Sequence, residues 1–267
     1  ASIYYQKWGD ESKPGLILVH GSGSHSHWWD FIAPLLLEDF QISALDLSGM
    51  GDSDRRKNYE AALFGREILA VAEDSGFFNK KINDPIICGH SLGGYMSSFA
   101  AYQSTKPIKG VIMIDSPIRP PTYDYSMHKR SGPIRKIKTY ADEKTILERF
   151  RLTPEQDCNN KYILDYIAKW SIKKSNGGYE WKFDDSIFEK LGFSHMTRDI
   201  AFTLSCKLGI IYGTESKMIA DEVLSYMELS VPNNTPIIPI KKAAHHVLLD
   251  QPLKLVSEIK NVISAWK

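Results

Sequence analysis

Gly89-His90-Ser91-Leu92-Gly93-Gly94 follows the apolar run Ile86-Ile87-Cys88 and opens a segment rich in small residues, Leu92 to Gln103. A buried strand that turns sharply into a helix, with a serine exposed at the turn, has this form. The glycines are required because the turn leaves no room for side chains beside the serine. The pentapeptide alone is only moderately specific. Its strand and helix flanks give it weight.

Outward from the elbow, short apolar runs alternate with longer periodic ones, the pattern of a mostly parallel sheet wrapped by helices. Strands are predicted at Gly15 to His20, Gln41 to Asp46, Pro85 to Cys88, Gly110 to Asp115, Leu208 to Tyr212 and Ile237 to Ile240. Phe64, Ile68, Val71, Ala72 and Ser75 recur at helical spacing, so Glu60 to Asp74 is a predicted helix. Leu255, Ile259, Val262, Ile263 and Trp266 mark a final helix, with Pro252 in its first turn. From about Ser116 to His195 the alternation breaks. This segment opens with Pro117, Pro120 and Pro121 and is rich in Tyr, Lys and Arg, which predicts an inserted, mainly helical subdomain. Within it, Lys144 to Phe150 and Tyr162 to Ile172 have helical patterns, and Asn176-Gly177-Gly178 forms the turn of a small hairpin into Tyr179 to Phe183.

Composition bounds the function. The 33 Lys plus Arg against 32 Asp plus Glu give a formal charge of +1, which speaks against duplex nucleic acid or an anionic membrane as a bulk electrostatic partner. At 267 residues, 43% apolar and 24% charged, the chain has the balance of an ordinary globular protein with one core and an insertion. No stretch has the roughly 18 uncharged apolar residues of a membrane helix, and Ala1 to Gly9 carries no secretory pattern. Three widely spaced cysteines, Cys88, Cys158 and Cys206, without a CxxC pattern, favour a reducing, cytoplasmic setting.

Ser91 is a weak nucleophile without a base, and His245 and His246 lie just after the strand Ile237 to Ile240. Adjacent histidines also suit metal binding or loop packing. Asp115 ends the strand Gly110 to Ile114, and Ser91, Asp115, His245 is the chain order of serine, acid and histidine in this motif class. Two backbone donors are needed for an oxyanion: the amide of Leu92, at the positive end of a helix, and that of Ser22 in the glycine loop His20-Gly21-Ser22-Gly23.

These residues resemble the α/β-hydrolase family over nearly the whole core. The resemblance is carried by His20-Gly21-Ser22-Gly23 with Trp28 and Trp29, by Asp46-Leu47-Ser48-Gly49-Met50-Gly51-Asp52-Ser53, by the Gly89 to Gly94 elbow, and by His245 seven residues before Pro252. It implies an α/β fold with a mostly parallel central sheet flanked by helices. It also implies a mainly helical cap inserted after the sixth strand, with residues 1–116 and 196–267 as core and 117–195 as cap. The spacing to Pro252 selects His245 over His246, which takes a position the family often gives to an aromatic residue. One position departs from the family: where Gly-x-x-Asp is usual, the chain reads Gly213-Thr214-Glu215-Ser216. Some members, including a branch of the haloalkane dehalogenases, carry the acid after the preceding strand, which matches Asp115. Glu215 is the rival.

A serine nucleophile sets this chain apart from the dehalogenases and epoxide hydrolases of the family, which attack with Asp. The resemblance implies a cofactor-independent serine hydrolase, first a carboxylesterase acting on a small-molecule acyl substrate of small or medium size. A carbon–carbon bond hydrolase of a diketone-like metabolite and a ligand-binding protein on a hydrolase fold are the alternatives. No metal, nucleic acid or membrane span is expected, and the chain is expected to be a monomer or homodimer. Arg119, Lys129, Arg130, Arg135, Lys136 and Lys138 against Asp124 form a basic run that fits either a solvated face or an anionic substrate. Tyr123, Tyr125 and Tyr140 suit a pocket lining or cap packing equally. His25 and His27 have metal-like spacing without a third ligand in sequence, and Cys88 fits a small core residue.

Overall fold

The computed structural model describes residues 1–79, 84–124, 138–191, 200–201 and 203–266. In chain order the core elements are β1 (Tyr5–Trp8), β2 (Gly15–Val19), β3 (Gln41–Leu45), α1 (Ala61–Asp74), β4 (Ile86–His90), α2 (Leu92–Gln103) and β5 (Gly110–Ile114). An inserted stretch then carries α3 (Glu143–Leu147), α4 (Lys161–Trp170), the hairpin β6 (Ile172–Ser175) and β7 (Gly178–Trp181), and α5 (Ile187–Lys190). The core resumes with β8 (Lys207–Gly213), α6 (Asp221–Ser230), β9 (Ile237–Ile240), α7 (Val247–Asp250) and α8 (Pro252–Ala265).

Seven strands form one sheet in the order β1-β3-β2-β4-β5-β8-β9. Only β1 runs antiparallel, pairing Tyr5 with Leu45 through to Trp8 with Ile42; every other pairing is parallel. All residues of β2, β3, β4 and β5 are buried, as expected for parallel strands covered on both faces. On one face Ile17, Val19, Leu45 and Ile87 pack with Phe64 and Ile68 of α1 and Met96 of α2. On the other, Leu16, Leu18, Ile42 and Ile112 meet Leu255, Ile259 and Val262 of α8. Among the described residues no helix is long and apolar enough to cross a membrane.

The insertion leaves the sheet after β5, the fifth strand counted along this chain because a single antiparallel strand precedes the parallel series. Its described part mixes helices with a hairpin. The predicted helix Tyr162 to Ile172 ends at Trp170, because Ile172 pairs with Trp181 and starts β6. Asn176 and Gly177 are the two-residue turn between the paired Ser175 and Gly178. The insertion is tied to the core at two places above the carboxyl ends of the strands. At one, Ser171 Oγ lies 2.9 Å from His25 Nε2, Trp170 stacks on His27 at 3.7 Å, and the Gly51 amide donates to the Lys182 carbonyl. At the other, the Asn160 amide group donates to the Leu249 carbonyl, and Gln156 accepts from the His246 amide and donates to Asp250. Lys129, Arg130, Arg135, Lys136 and Tyr125 lie outside the described residues, as does the 195/196 boundary. Arg119 sits over the Tyr123 ring, and Tyr140 forms a backbone bridge with Tyr179.

Candidate active site

Ser91 stands between β4 and α2 with φ 53° and ψ −118°, a conformation that a non-glycine residue adopts only under constraint. Its neighbours supply the constraint. A Cβ at Gly89 would lie 2.2 Å from the Gly93 carbonyl oxygen, and one at Gly93 would lie 2.4 Å from that of Val19. The Ser91 amide donates to the Ile114 carbonyl at 2.8 Å, and Ser116 Oγ donates to the Ser91 carbonyl at 2.7 Å. The hydroxyl is thereby presented at the carboxyl edge of the sheet, where α/β folds place their ligands.

Ser91 Oγ lies 3.0 Å from His245 Nε2, and His245 Nδ1 lies 2.6 Å from Asp115 Oδ2. A carboxylate only accepts, so Nδ1 carries the imidazole proton and Nε2 is left to accept from the serine hydroxyl. Asp115 is fully buried at the end of β5, with φ 47°. It accepts two further bonds, from the Gly213 amide to Oδ1 at 3.0 Å and from Ser216 Oγ to Oδ2 at 2.6 Å. Glu215 is exposed, and its backbone amide donates to Ala243. Thus the side chains of Ser91, His245 and Asp115 form one hydrogen-bonded chain, and the described contacts do not include the Glu215 carboxylate in it. Ser216 was not legible as a partner of Asp115; its only sequence signal is that it stands where the family carries an acid.

Leu92 opens α2, so its amide has no preceding helical turn to pair with. Ser22 lies across the site in the loop after β2, with a buried hydroxyl that has no hydrogen-bond partner among the described residues. Gly21 is packed against the elbow, where a Cβ would lie 3.3 Å from that of Ser91. The loop is held from behind by His20, whose Nδ1 donates to the Gly21 carbonyl at 2.7 Å while Nε2 accepts from the Leu47 amide at 3.0 Å.

Other histidines surround the site. His90 bonds the His245 carbonyl through Nε2 at 2.9 Å; burial, then the neighbouring His245 and His246, push its pKa well below the usual imidazole range. His246 packs against Trp28, His90 and His245 at centroid distances of 5.3, 5.5 and 4.9 Å, and burial lowers its pKa to about 3. His25 is likewise lowered by burial, and His20 is lowered by burial against the opposing pull of Asp46. His25 and His27 each have their own partner, Ser171 and Asp30, the latter at 2.7 Å. Cys88 is buried in β4, and burial pushes its thiol up, which keeps it from acting as a second nucleophile.

A family model described as the alpha/beta hydrolase family matches residues 16–259, and the chain belongs to that family. It is similar to the uncharacterized hydrolase YugF of Bacillus subtilis, at 23% identity over 96% of this chain and 92% of the relative. It is also similar to the pimeloyl-[acyl-carrier protein] methyl ester esterase of Serratia marcescens, at 25% identity over 99% of both chains. Among solved structures, the thioesterase domain from the curacin biosynthetic pathway superposes with a TM-score of 0.78 at 20% identity, over 97% of this chain and 95% of that one. The fold, and the membership of a hydrolase family, are thereby established.

Proposed function

We propose that the protein is a serine hydrolase that cleaves carboxylic esters of small or medium acyl groups through an acyl-enzyme on Ser91. The observation that carries this reading is the hydrogen-bonded chain from Ser91 Oγ through His245 to Asp115. As the ester carbonyl approaches, His245 Nε2 takes the hydroxyl proton and Oγ bonds the carbonyl carbon. The negative charge moves onto the carbonyl oxygen, toward the amides of Leu92 and Ser22. Asp115 holds the imidazole in the required tautomer and stabilises the imidazolium. His245 returns the proton to the leaving alcohol, then activates a water that releases the acid and restores Ser91. The scheme consumes only water, and no cofactor enters it. Segment 117–195 acts as a cap over this edge of the sheet, on the support of its ties to the loops bearing His25 and His246.

The test is hydrolysis of a p-nitrophenyl ester series from acetate to laurate, with Ser91→Ala as the blank. Turnover that falls by at least a thousandfold in the variant is expected, with a chain-length optimum that sizes the pocket. Equal turnover in the two proteins would overturn the reading. A methyl ester of a carrier-bound acyl chain belongs in the series because the Serratia relative is named for that reaction.

A further inference from the structure

His90 ends β4 and His245 and His246 lie just before α7, yet one ring nitrogen of each lies within 4.8 Å of the others. All three residues are at most 3% exposed. The catalytic reading accounts for His245 alone. His90 is held by Nε2 to the His245 carbonyl, so ligation uses Nδ1 or replaces that hydrogen bond. His246 is the least satisfied: its ring has a backbone contact with Pro154, and at least one of its nitrogens makes no hydrogen bond among the described residues, although the side chain is buried. Buried polar atoms are ordinarily paired, and an unpaired one calls for a partner.

From this juxtaposition we infer that His90, His245 and His246 form an inhibitory site for a divalent transition metal of the zinc type. Three imidazoles with one open position suit zinc. Nitrogens bonded to zinc at 2.0–2.1 Å in a tetrahedron lie about 3.4 Å apart, so closing the site asks for ring rotations of roughly an ångström. The outer contacts suit a metal. Asp115 already holds His245 through Nδ1 at 2.6 Å, the carboxylate–histidine arrangement that orients a ligand and raises its basicity. The same buried carboxylate offsets part of the cation's charge. Entry is through the Ser91 hydroxyl side, which is partly exposed. The metal takes the lone pair of His245 Nε2 that otherwise accepts from Ser91 at 3.0 Å, and the fourth position goes to water or to the serine oxygen. No covalent bond of the protein breaks and no oxidant is needed. The consequence, reversible loss of the general base, rests on the proposed catalytic reading; the binding itself does not.

The experiment uses the full chain after chelator treatment. Zn2+ binding is measured by competition with a chromophoric chelator, and Co2+ is added separately to read the visible absorption of tetrahedral nitrogen ligation. One Zn2+ per chain and a tetrahedral Co2+ spectrum are expected in the unmodified protein, so the first readout needs no variant. His246→Phe, which keeps an aromatic ring in the same packing, should weaken binding at least tenfold, whereas His27→Gln should leave it unchanged. Zn2+ should inhibit p-nitrophenyl acetate hydrolysis reversibly, with at least tenfold more Zn2+ needed in His246→Phe. No stoichiometric binding, or equal binding in His246→Phe, would overturn the site. Metal bound as expected in a chain that hydrolyses no ester would leave the site standing and overturn the catalytic reading. Ester hydrolysis indifferent to bound Zn2+ would overturn the inhibitory role.

Discussion

Asp115 accepts from three donors, His245, Ser216 and the Gly213 amide, and it has no exposed surface. A buried carboxylate in this state orients His245 strongly, so Asp115→Asn should lower kcat by about ten-thousandfold, the scale at which a wrong imidazole tautomer acts. Glu215→Gln, on an exposed side chain, should change kcat by less than about twofold. If steady-state kinetics show the larger loss in Glu215→Gln, the assignment of the acid is wrong. Ser216→Ala removes one charge-assisted donor, worth about 1.5–3 kcal/mol. It should lower kcat roughly tenfold with little change in KM, and Ser216→Thr should restore most of it. The sequence made Ser91, His245 and both rival acids visible, because each is tied to a short motif or a strand end. It left the acid undecided because the choice depends on which loop folds over which strand end, and no spacing within one segment reports that. The role of Ser216 was hidden for the same reason: its partner is 101 residues away.

At the scale of elements, the junction of β4 with α2 is the least tolerant part of the fold. Gly93→Ala would set a Cβ 2.4 Å from one carbonyl oxygen and 2.6 Å from the next, both backbone atoms that cannot swing aside. Urea unfolding should register a loss of about 3 kcal/mol, the upper end of overpacking costs, together with a fall in kcat as Ser91 is displaced. Gly76→Ala is the contrast. It has φ +74° but nothing within 4 Å of the added Cβ, so it should cost about 1–2 kcal/mol of backbone strain and leave kcat unchanged. Equal losses at the two positions would mean that packing at the elbow is looser than its geometry implies. Strands β2, β4 and β5 were legible because both faces are buried and each carries an apolar run. Strand β1 was not: Tyr5-Gln6-Lys7-Trp8 is short, mixed in polarity and lies at the sheet edge, paired only with β3. The inserted segment was legible as an interruption, but its hairpin strand β6 reads as the tail of a helix until Ile172 is seen paired with Trp181.

For the molecule as a whole, the buried histidines set how stability depends on pH. His20, His25, His90 and His246 all have pKa values lowered by burial, in the case of His246 to about 3. In the unfolded chain each titrates near 6.5. Below that value the unfolded state binds protons that the native state refuses, so stability is full above pH 6.5 and is lost as pH falls toward the native pKa values. Between pH 7.0 and 5.5 His246, with its native pKa at about 3, removes about 1.2 kcal/mol, and His20, His25 and His90 act in the same direction. For a chain of this size the His246 share alone corresponds to a fall of about 2–5 °C in the thermal midpoint. Scanning calorimetry in matched salt measures it directly. His246→Phe removes this share of the fall, with one proton fewer taken up on unfolding below pH 6. A midpoint that stays flat across this range would mean that the imidazoles are protonated in the folded protein. In that case His246 would already hold a proton in its aromatic pocket, and the metal inferred there would have to displace it, making Zn2+ binding weaken steeply below pH 6.5.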